Sequence, residues 1–122
     1  MDRVVGRFMA DTGTALALLA CVACGCAPRG ARTPAALHVV VIRKIAFEPA
    51  DLPAAVGDTI EWRNEDLVPH TVSAADSSWD SGDLKPDRQW RRVVDRAGTI
   101  AYGCRYHPTM RAVLRIGAPA AR

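Results

Sequence analysis

The sequence lacks several features that would place it in a common functional class. No apolar run reaches the ~20 residues that a membrane-spanning helix requires. No cluster of Lys and Arg, and no basic stripe interleaved with aromatic residues, indicates nucleic-acid binding. Beyond position 26 the chain has a single cysteine, Cys104. Nucleic acid is therefore not an expected partner, and no disulfide can form within the part of the chain that we expect to fold.

The charge of the chain is unevenly distributed. The formal net charge is +3 over 122 residues, but eleven Lys/Arg and eleven Asp/Glu lie between Leu37 and Gly117, so that segment is neutral. The positive excess belongs to the ends of the chain and says little about partners. This length predicts one domain, and a folded part of about 80 residues would gain stability from a metal ion that binds only the native state.

Residues 1–26 are typical of a secretory leader. Arg3 and Arg7 precede an apolar run at residues 15–23, which is too short to span a membrane. Leu18-Leu19-Ala20-Cys21 resembles a bacterial lipobox, in which the cysteine is lipidated and becomes the mature N-terminus. An ordinary cleaved leader is the alternative. Both interpretations predict a periplasmic or other extracytoplasmic protein, anchored to the membrane if Cys21 carries lipid.

Short strand-like segments separated by turn signals run through the rest of the chain. Residues 27–36, with Pro28, Gly30 and Pro34, predict a flexible tether. Residues 37–117 predict the folded domain and residues 118–122 a C-terminal tail. Strands are predicted at residues 38–42, 52–56, 59–63, 71–74, 89–94, 99–102 and 112–116. Seven or eight short strands without a convincing helix predict an all-β sandwich.

The most informative run is Cys104-Arg105-Tyr106-His107-Pro108-Thr109-Met110. Because Cys104, His107 and Met110 are spaced three residues apart, one short loop can bring their side chains to one point. A second histidine, His70, arrives from elsewhere in the fold. One thiolate, two imidazoles and one thioether are the donor set of a trigonal His2Cys copper site with a weak axial Met. We therefore predict that His70, Cys104, His107 and Met110 bind one copper ion.

The order and spacing of these residues resemble those of the cupredoxins, the small blue-copper proteins. The loop Cys-x-x-His-Pro-x-Met is most similar to the amicyanin and plastocyanin-like branch. The resemblance extends over residues 39–116 and includes Phe47-Glu48-Pro49, the run Val56 to Asn64, and Asp80-Ser81-Gly82. One departure is Ala112, where many relatives have Gly; it touches the exit of the loop and leaves the four donors intact.

The resemblance implies both a fold and a function. The fold would be a Greek-key β-sandwich, and the copper ion would cycle between Cu(I) and Cu(II) to carry single electrons between transient protein redox partners. His107 would be the ligand nearest the solvent. We expect a monomer that is not an enzyme, because four protein donors leave no open coordination position. A module that stores or delivers copper is the alternative function.

Three other interpretations concern the same cysteines and histidines. A four-cysteine zinc site would have to join Cys21, Cys24 and Cys26 in the leader to Cys104 far downstream. A Cys104–His107 nucleophilic pair lacks a neighbouring glycine run that could bind an oxyanion. Zinc in place of copper is compatible with the same donors, since zinc accepts sulfur and nitrogen ligands.

Several residues near the predicted ligands have simpler interpretations. His38 stands at the start of a strand, away from the ligand segments, and is expected to face solvent. Asn64 is interpreted as a turn residue. Thr71 follows His70, and the resemblance implies that its backbone or its side chain steadies the thiolate. Packing in the core or at a sheet edge is favoured over an electron relay for Trp62, Trp79 and Trp90.

Overall fold

The computed structural model of the protein describes residues 33–119. The predicted leader with Cys21, most of the predicted tether and the last residues of the tail lie outside that part. No helix among residues 33–119 is long and apolar enough to cross a membrane. The strands are β1 (Leu37–Arg43), β2 (Ala46–Glu48), β3 (Asp51–Ala55), β4 (Thr59–Asn64), β5 (Ser73–Ala74), β6 (Gln89–Val93), β7 (Gly98–Gly103) and β8 (Arg111–Gly117).

The eight strands form two four-stranded sheets whose inner faces share one apolar core. The strand order is β2-β1-β4-β6 in one sheet and β3-β8-β7-β5 in the other. Strand β1 is parallel to β4 and β3 is parallel to β8, whereas the other pairs are antiparallel. The described residues contain no helix. The predicted all-β Greek-key sandwich is therefore confirmed, with eight strands.

Alternation with period two places one face of each strand in the core. In β4, Ile60 and Trp62 are fully buried, as the pattern of this segment predicted. The ring centroid of Trp62 lies 5.2–5.8 Å from those of three other aromatic residues, Trp79, Trp90 and Tyr102. The three tryptophans thus pack in or against the core. Burial in this cluster raises the pKa of Tyr102 to about 12, so its phenol stays neutral.

The sequence pattern does not predict strand β2. It pairs with β1 through a tight turn at Lys44 and Ile45, whose φ angles are 52° and 56°. Gly or Asn usually occupies such positions, so a β-branched Ile gives no turn signal. The carboxylate of Asp66 accepts hydrogen bonds from both backbone N–H groups of the turn, at 2.7 and 3.0 Å. This long-range contact stabilises a turn that local sequence alone does not favour.

The expectation that His38 faces solvent is wrong. Its side chain is only 26% exposed, and its Nε2 lies 2.8 Å from Oδ2 of Asp58, the residue before β4. The buried Asp58 carboxylate also accepts the N–H groups of Ala36 and Ala55, at 2.9 and 3.0 Å. Burial raises the pKa of Asp58, but these hydrogen bonds outweigh that effect and hold the pKa below its usual range. The pair ties the beginning of β1 to the turn before β4.

Replacing Asp58 with Asn should lower the free energy of unfolding at pH 7 by about 1–3 kcal/mol, the usual cost of breaking charge-assisted bonds to a buried group. Because the pKa is depressed in the folded state, the carboxylate stabilises the protein above its unfolded pKa of roughly 3.9. That contribution disappears as the pH falls through the folded pKa. Urea unfolding at pH 7 and at decreasing pH should therefore show the two proteins converging in acid. Asp95→Asn, at a 73% exposed side chain, is the control; an Asp58→Asn deficit that persists undiminished in acid would contradict the argument.

Candidate metal centre

Two loops at one end of the sandwich bring the predicted donors together. Cys104 directly follows β7 and Met110 directly precedes β8, so the loop between them closes an antiparallel pair of strands. The N–H of Cys104 donates to the carbonyl of Met110 at 3.2 Å, and the N–H of Met110 donates to the carbonyl of His107 at 2.9 Å. These two bonds hold the loop in a compact conformation with Cys104 and Met110 side by side.

His70 lies on the second loop, which follows β4. Its backbone exchanges two hydrogen bonds with Leu84, at 3.1 and 2.8 Å, and its side chain is fully buried. The sequence suggested that Asn64 is a turn residue, but the structure gives it a larger role. It is 1% exposed, and its amide donates to the carbonyls of Val68 and Leu84 at 2.9 and 2.8 Å. Asn64 thereby braces the segment that carries His70.

The sulfur and nitrogen atoms of three donors converge. Sγ of Cys104 lies 3.8 Å from Nδ1 of His70 and 3.6 Å from Nδ1 of His107. All three candidate ligand atoms lie within 4.8 Å of one another. Nitrogen and sulfur donors about 2.0 and 2.3 Å from one ion are roughly 3.7 Å apart at an angle of 120°. The spacing therefore fits a single metal ion, and one thiolate with two imidazoles is a donor set that suits copper.

Met110 is the fourth predicted donor. It is 2% exposed, and the hydrogen bond between its carbonyl and the N–H of Cys104 fixes its backbone beside that residue. Cys104 is 6% exposed and His70 is fully buried, whereas His107 is half-buried. Three of the four donors are thus shielded from water and one lies near the surface. The axial role of the Met110 thioether stays a prediction.

One backbone N–H group is directed at the sulfur of Cys104. The backbone N–H of Thr71 points at Sγ of Cys104 at 3.3 Å, as expected for the residue that follows His70. The Thr71 hydroxyl accepts the N–H of Arg105 at 2.9 Å and pairs with the hydroxyl of Ser73. Thr71 therefore links the two loops through its backbone and its side chain, and its N–H partly compensates negative charge on the sulfur.

Asp66 is a functional candidate that the sequence interpretation missed. Its Oδ2 lies 2.8 Å from Nε2 of His70, the ring nitrogen that faces away from Cys104. Burial raises the pKa of Asp66, but hydrogen bonds from Ile45, His70 and Lys44 outweigh burial and hold the pKa below its usual range. A carboxylate four residues before a predicted ligand histidine was the available signal. Alone it does not show that the two side chains meet.

Three exposed apolar side chains lie on the two loops that carry the predicted donors. Leu67 is 94% exposed, Val68 is 43% exposed and Tyr106 is 49% exposed. Two arginines lie at the ends of the loop that carries Tyr106. Nη2 of Arg105 lies 3.2 Å from Asp80, whereas Nε of Arg111 donates to the carbonyl of Pro108 at 3.0 Å. Among residues 33–119, no carboxylate forms an ion pair with Arg111.

Comparisons with known proteins point to one group. No family model matches the sequence. The chain is 32% identical to an amicyanin of Paracoccus denitrificans over 78 residues, which are 60% of this chain and 60% of the relative. It is 27% identical to an amicyanin of Paracoccus versutus over 86 residues, 66% of this chain and 65% of the relative. The chain therefore spans just under two thirds of the length of these curated relatives.

Solved structures agree with the sequence comparison. A Cu(I) structure of an amicyanin variant superposes with a TM-score of 0.63 at 28% identity, covering 66% of this chain and 82% of that chain. A purple cupredoxin of Nitrosopumilus maritimus superposes with a TM-score of 0.63 at 22% identity, covering 66% of this chain and 99% of that chain. The second similarity bears on the fold alone.

Proposed function

We propose that the chain, which is similar to amicyanins in sequence and in structure, is a blue-copper electron carrier that uses His70, Cys104, His107 and Met110 as ligands. The observation that carries the proposal is the convergence of Sγ of Cys104 with the Nδ1 atoms of both histidines, at 3.8 and 3.6 Å. Copper bound there would supply one-electron chemistry between Cu(I) and Cu(II). The visible spectrum of the purified, copper-loaded, oxidised protein tests this assignment, since an intense band requires a bound thiolate. A colourless protein would refute it.

The residues around the site suit electron transfer rather than catalysis. Four protein donors leave no open position for a substrate, so we propose that the protein is not an enzyme. The bonds from Thr71 and Asn64 fix the donor loops from both sides. Because a braced donor set changes little when one electron moves, the ligands of the oxidised and reduced states can be nearly superimposable. Burial of three donors keeps water away from the ion.

We propose that electrons enter and leave beside His107, where a transient protein partner docks. Weak, small interfaces are typical of electron-transfer complexes. Leu67, Val68 and Tyr106, on the two donor loops, offer exposed apolar area, and Arg111 offers a positive charge with no described carboxylate partner. Arg105 adds less positive charge, because Asp80 partly balances it. We expect an acidic partner, and an association rate that falls as salt concentration rises.

An assay of electron exchange against copper loss separates a carrier from a protein that stores or delivers copper. The reduced protein is mixed with a one-electron acceptor and, in a second experiment, with an apo copper protein. A carrier should be reoxidised rapidly through many cycles with its copper retained. Prompt loss of copper to the apo-protein, with slow reoxidation, would refute the carrier role and favour delivery.

The proposed location is extracytoplasmic, with a lipid on Cys21 if the lipobox interpretation is right. Cys21 lies outside the described residues, so this proposal rests on the leader pattern. The mass of the mature N-terminus decides it: a lipidated Cys21 supports the anchor, whereas an unmodified N-terminus beyond Cys26 supports an ordinary cleaved leader. Substituting Cys21 with Ala should release the protein from the membrane fraction only in the first case.

Replacing Met110 with Gln should lower the reduction potential. An amide oxygen favours Cu(II) more than a thioether does, and the axial ligand tunes the potential of sites of this type. Each tenfold gain in the relative preference for Cu(II) lowers the potential by about 59 mV, and we expect at least one such step. Voltammetry of the purified variant provides the measurement.

Met110→Leu is the matched control for this prediction. It removes the sulfur donor at nearly constant volume and adds no oxygen, so the potential should rise instead. Equal potentials in the wild type and both variants would show that Met110 is not the axial ligand.

A further inference from the structure

A groove of about 660 Å³ lies on the outer face of the sheet β3-β8-β7-β5, beside the loop between β7 and β8. Ala101 and Gly103 of β7 and Val113 of β8 line its floor, where they alternate with the buried residues Tyr102 and Ala112. Sites for small molecules typically have volumes of roughly 300–1,000 Å³. The groove is therefore large enough to hold a small organic molecule.

The backbone keeps this groove open. A Cβ added at Gly103 would lie 2.7 Å from a backbone carbonyl oxygen of the adjoining loop, so only glycine fits there without a shift. On one side, the N–H of Ala75 donates to the carbonyl of Ala101 at 2.9 Å. On the other side, the N–H of Val113 donates to the carbonyl of Ala50 at 2.8 Å. Because hydrogen-bonded backbone with small side chains forms the floor and both sides, the groove is shaped before any ligand arrives.

The end of the groove nearest the loop is positively charged, because Arg105 and Arg111 line it there. Nε of Arg111 donates to the carbonyl of Pro108 at 3.0 Å, which leaves the Nη groups of the guanidinium as further donors. Asp80 partly balances Arg105 at 3.2 Å, whereas no carboxylate among residues 33–119 pairs with Arg111. No Asp or Glu occurs among the described residues that line the groove. An apolar floor thus adjoins a cationic end.

We propose that this groove binds an organic anion that has an apolar body and one carboxylate or sulfonate group. The planar guanidinium of Arg111 can donate parallel hydrogen bonds to such a group, while the apolar body covers the alanines of the floor. An inorganic anion would leave the floor uncovered, and a neutral apolar molecule would leave the arginine without a partner. Such binding requires no metal ion and goes beyond the proposed electron transfer.

The probe for this site is 2-naphthoate, and 2-naphthamide is its neutral counterpart of nearly equal shape. Each is titrated into the 15N-labelled protein at constant ionic strength, under reducing conditions that keep any bound copper as diamagnetic Cu(I). We expect 2-naphthoate to shift the amide signals of Ala75, Ala101, Gly103 and Val113 along one saturable curve. It should bind about tenfold more tightly than 2-naphthamide, the order of magnitude expected for hydrogen bonds to a charged group.

Two variants separate the charged end of the groove from its floor. Arg111→Gln should weaken the binding of 2-naphthoate about tenfold and leave that of 2-naphthamide nearly unchanged. Ala101→Leu places a larger side chain on the floor at an exposed position and should weaken the binding of both probes. Arg115→Gln is the matched control for charge, since Arg115 lies on the same face of β8 outside the groove and pairs with Asp51. Thr99→Leu, at an exposed position on the same face of β7 outside the groove, is the control for size.

Several outcomes would overturn the proposal. They are shifts that do not saturate, shifts that map to the exposed apolar residues of the two donor loops instead, and equal affinities for the two probes. An equal loss in Arg111→Gln and Arg115→Gln would reduce the effect to net charge and would also refute a specific site. Displacement of 2-naphthoate by an equal concentration of sulfate would assign the groove to inorganic anions. Far-UV circular dichroism checks that each variant folds, and if Ala101→Leu does not, wild-type affinity in Arg111→Gln is still decisive against the site.

Discussion

Replacing Cys104 with Ala should abolish the intense visible absorption of the copper-loaded, oxidised protein. The thiolate is the donor of charge in that absorption, and no other cysteine lies among residues 33–119. The structure places Sγ of Cys104 at the centre of the site, with Nδ1 of His70 and His107 at 3.8 and 3.6 Å and the N–H of Thr71 at 3.3 Å. We expect the loss of essentially the whole band, because no neighbouring group can substitute for the sulfur.

Optical spectra of wild type and variant at equal copper loading provide the measurement, with far-UV circular dichroism to confirm that the variant folds. His70→Ala is the comparison. It should weaken or open the site but keep a thiolate beside the ion, so some colour should survive. A Cys104→Ala protein that keeps its full colour would show that the metal assignment is wrong.

Replacing Gly103 with Ala should both destabilise the protein and disturb the ligand loop. A Cβ added at Gly103 would lie 2.7 Å from the carbonyl oxygen of Met110, which belongs to the backbone and cannot swing aside. That oxygen accepts the N–H of Cys104 at 3.2 Å, the bond that closes the loop between β7 and β8. Relief of the clash requires the two strands to separate where two predicted ligands sit. Overpacking of this kind costs about 1–3 kcal/mol.

Gly117→Ala is the control for this prediction, because the nearest atom to its added Cβ is the Ala54 carbonyl oxygen at an ordinary 3.8 Å. Denaturant unfolding of the metal-free proteins should show a loss for Gly103→Ala and a change within about 0.5 kcal/mol for Gly117→Ala. The copper spectrum of Gly103→Ala should shift in position or intensity. Equal stabilities and identical spectra for the two variants would contradict the argument.

The donor set is the part of this protein that sequence reasoning reached most directly. Three donors share one loop, so the spacing of Cys104, His107 and Met110 already constrains them to one region. The structure adds that Cys104 and Met110 flank the ends of paired strands, which makes their proximity a consequence of the sheet. The choice of His70 rested on ligand type, since the site needs a second imidazole, and on the resemblance to the cupredoxins. No local pattern says where the end of β4 will lie relative to the end of β7.

The parts that sequence reasoning did not reach all depend on contacts between distant residues. Strand β2 and its turn need the Asp66 carboxylate, which comes 21 and 22 residues after the two N–H groups that it accepts. His38 was expected in solvent because nothing near it in sequence is a partner, and Asp58 lies 20 residues away. Asn64 was interpreted as a turn residue because the residues that follow it in sequence are polar.

The sequence by itself determined the strand periodicity, the all-β class and the chemistry of the donors, because alternation, turn composition and ligand type are properties of local residues. The tertiary structure decided which side chains orient those donors. The carboxylate of Asp66 lies 2.8 Å from Nε2 of His70 within one loop. The hydrogen bonds that Thr71 donates to Cys104 and that Asn64 donates to Leu84 join segments that the sandwich brings together. Such bonds are sensitive to differences in distance of a few tenths of an ångström. The packing of the two sheets sets these distances, and a one-dimensional pattern does not encode them.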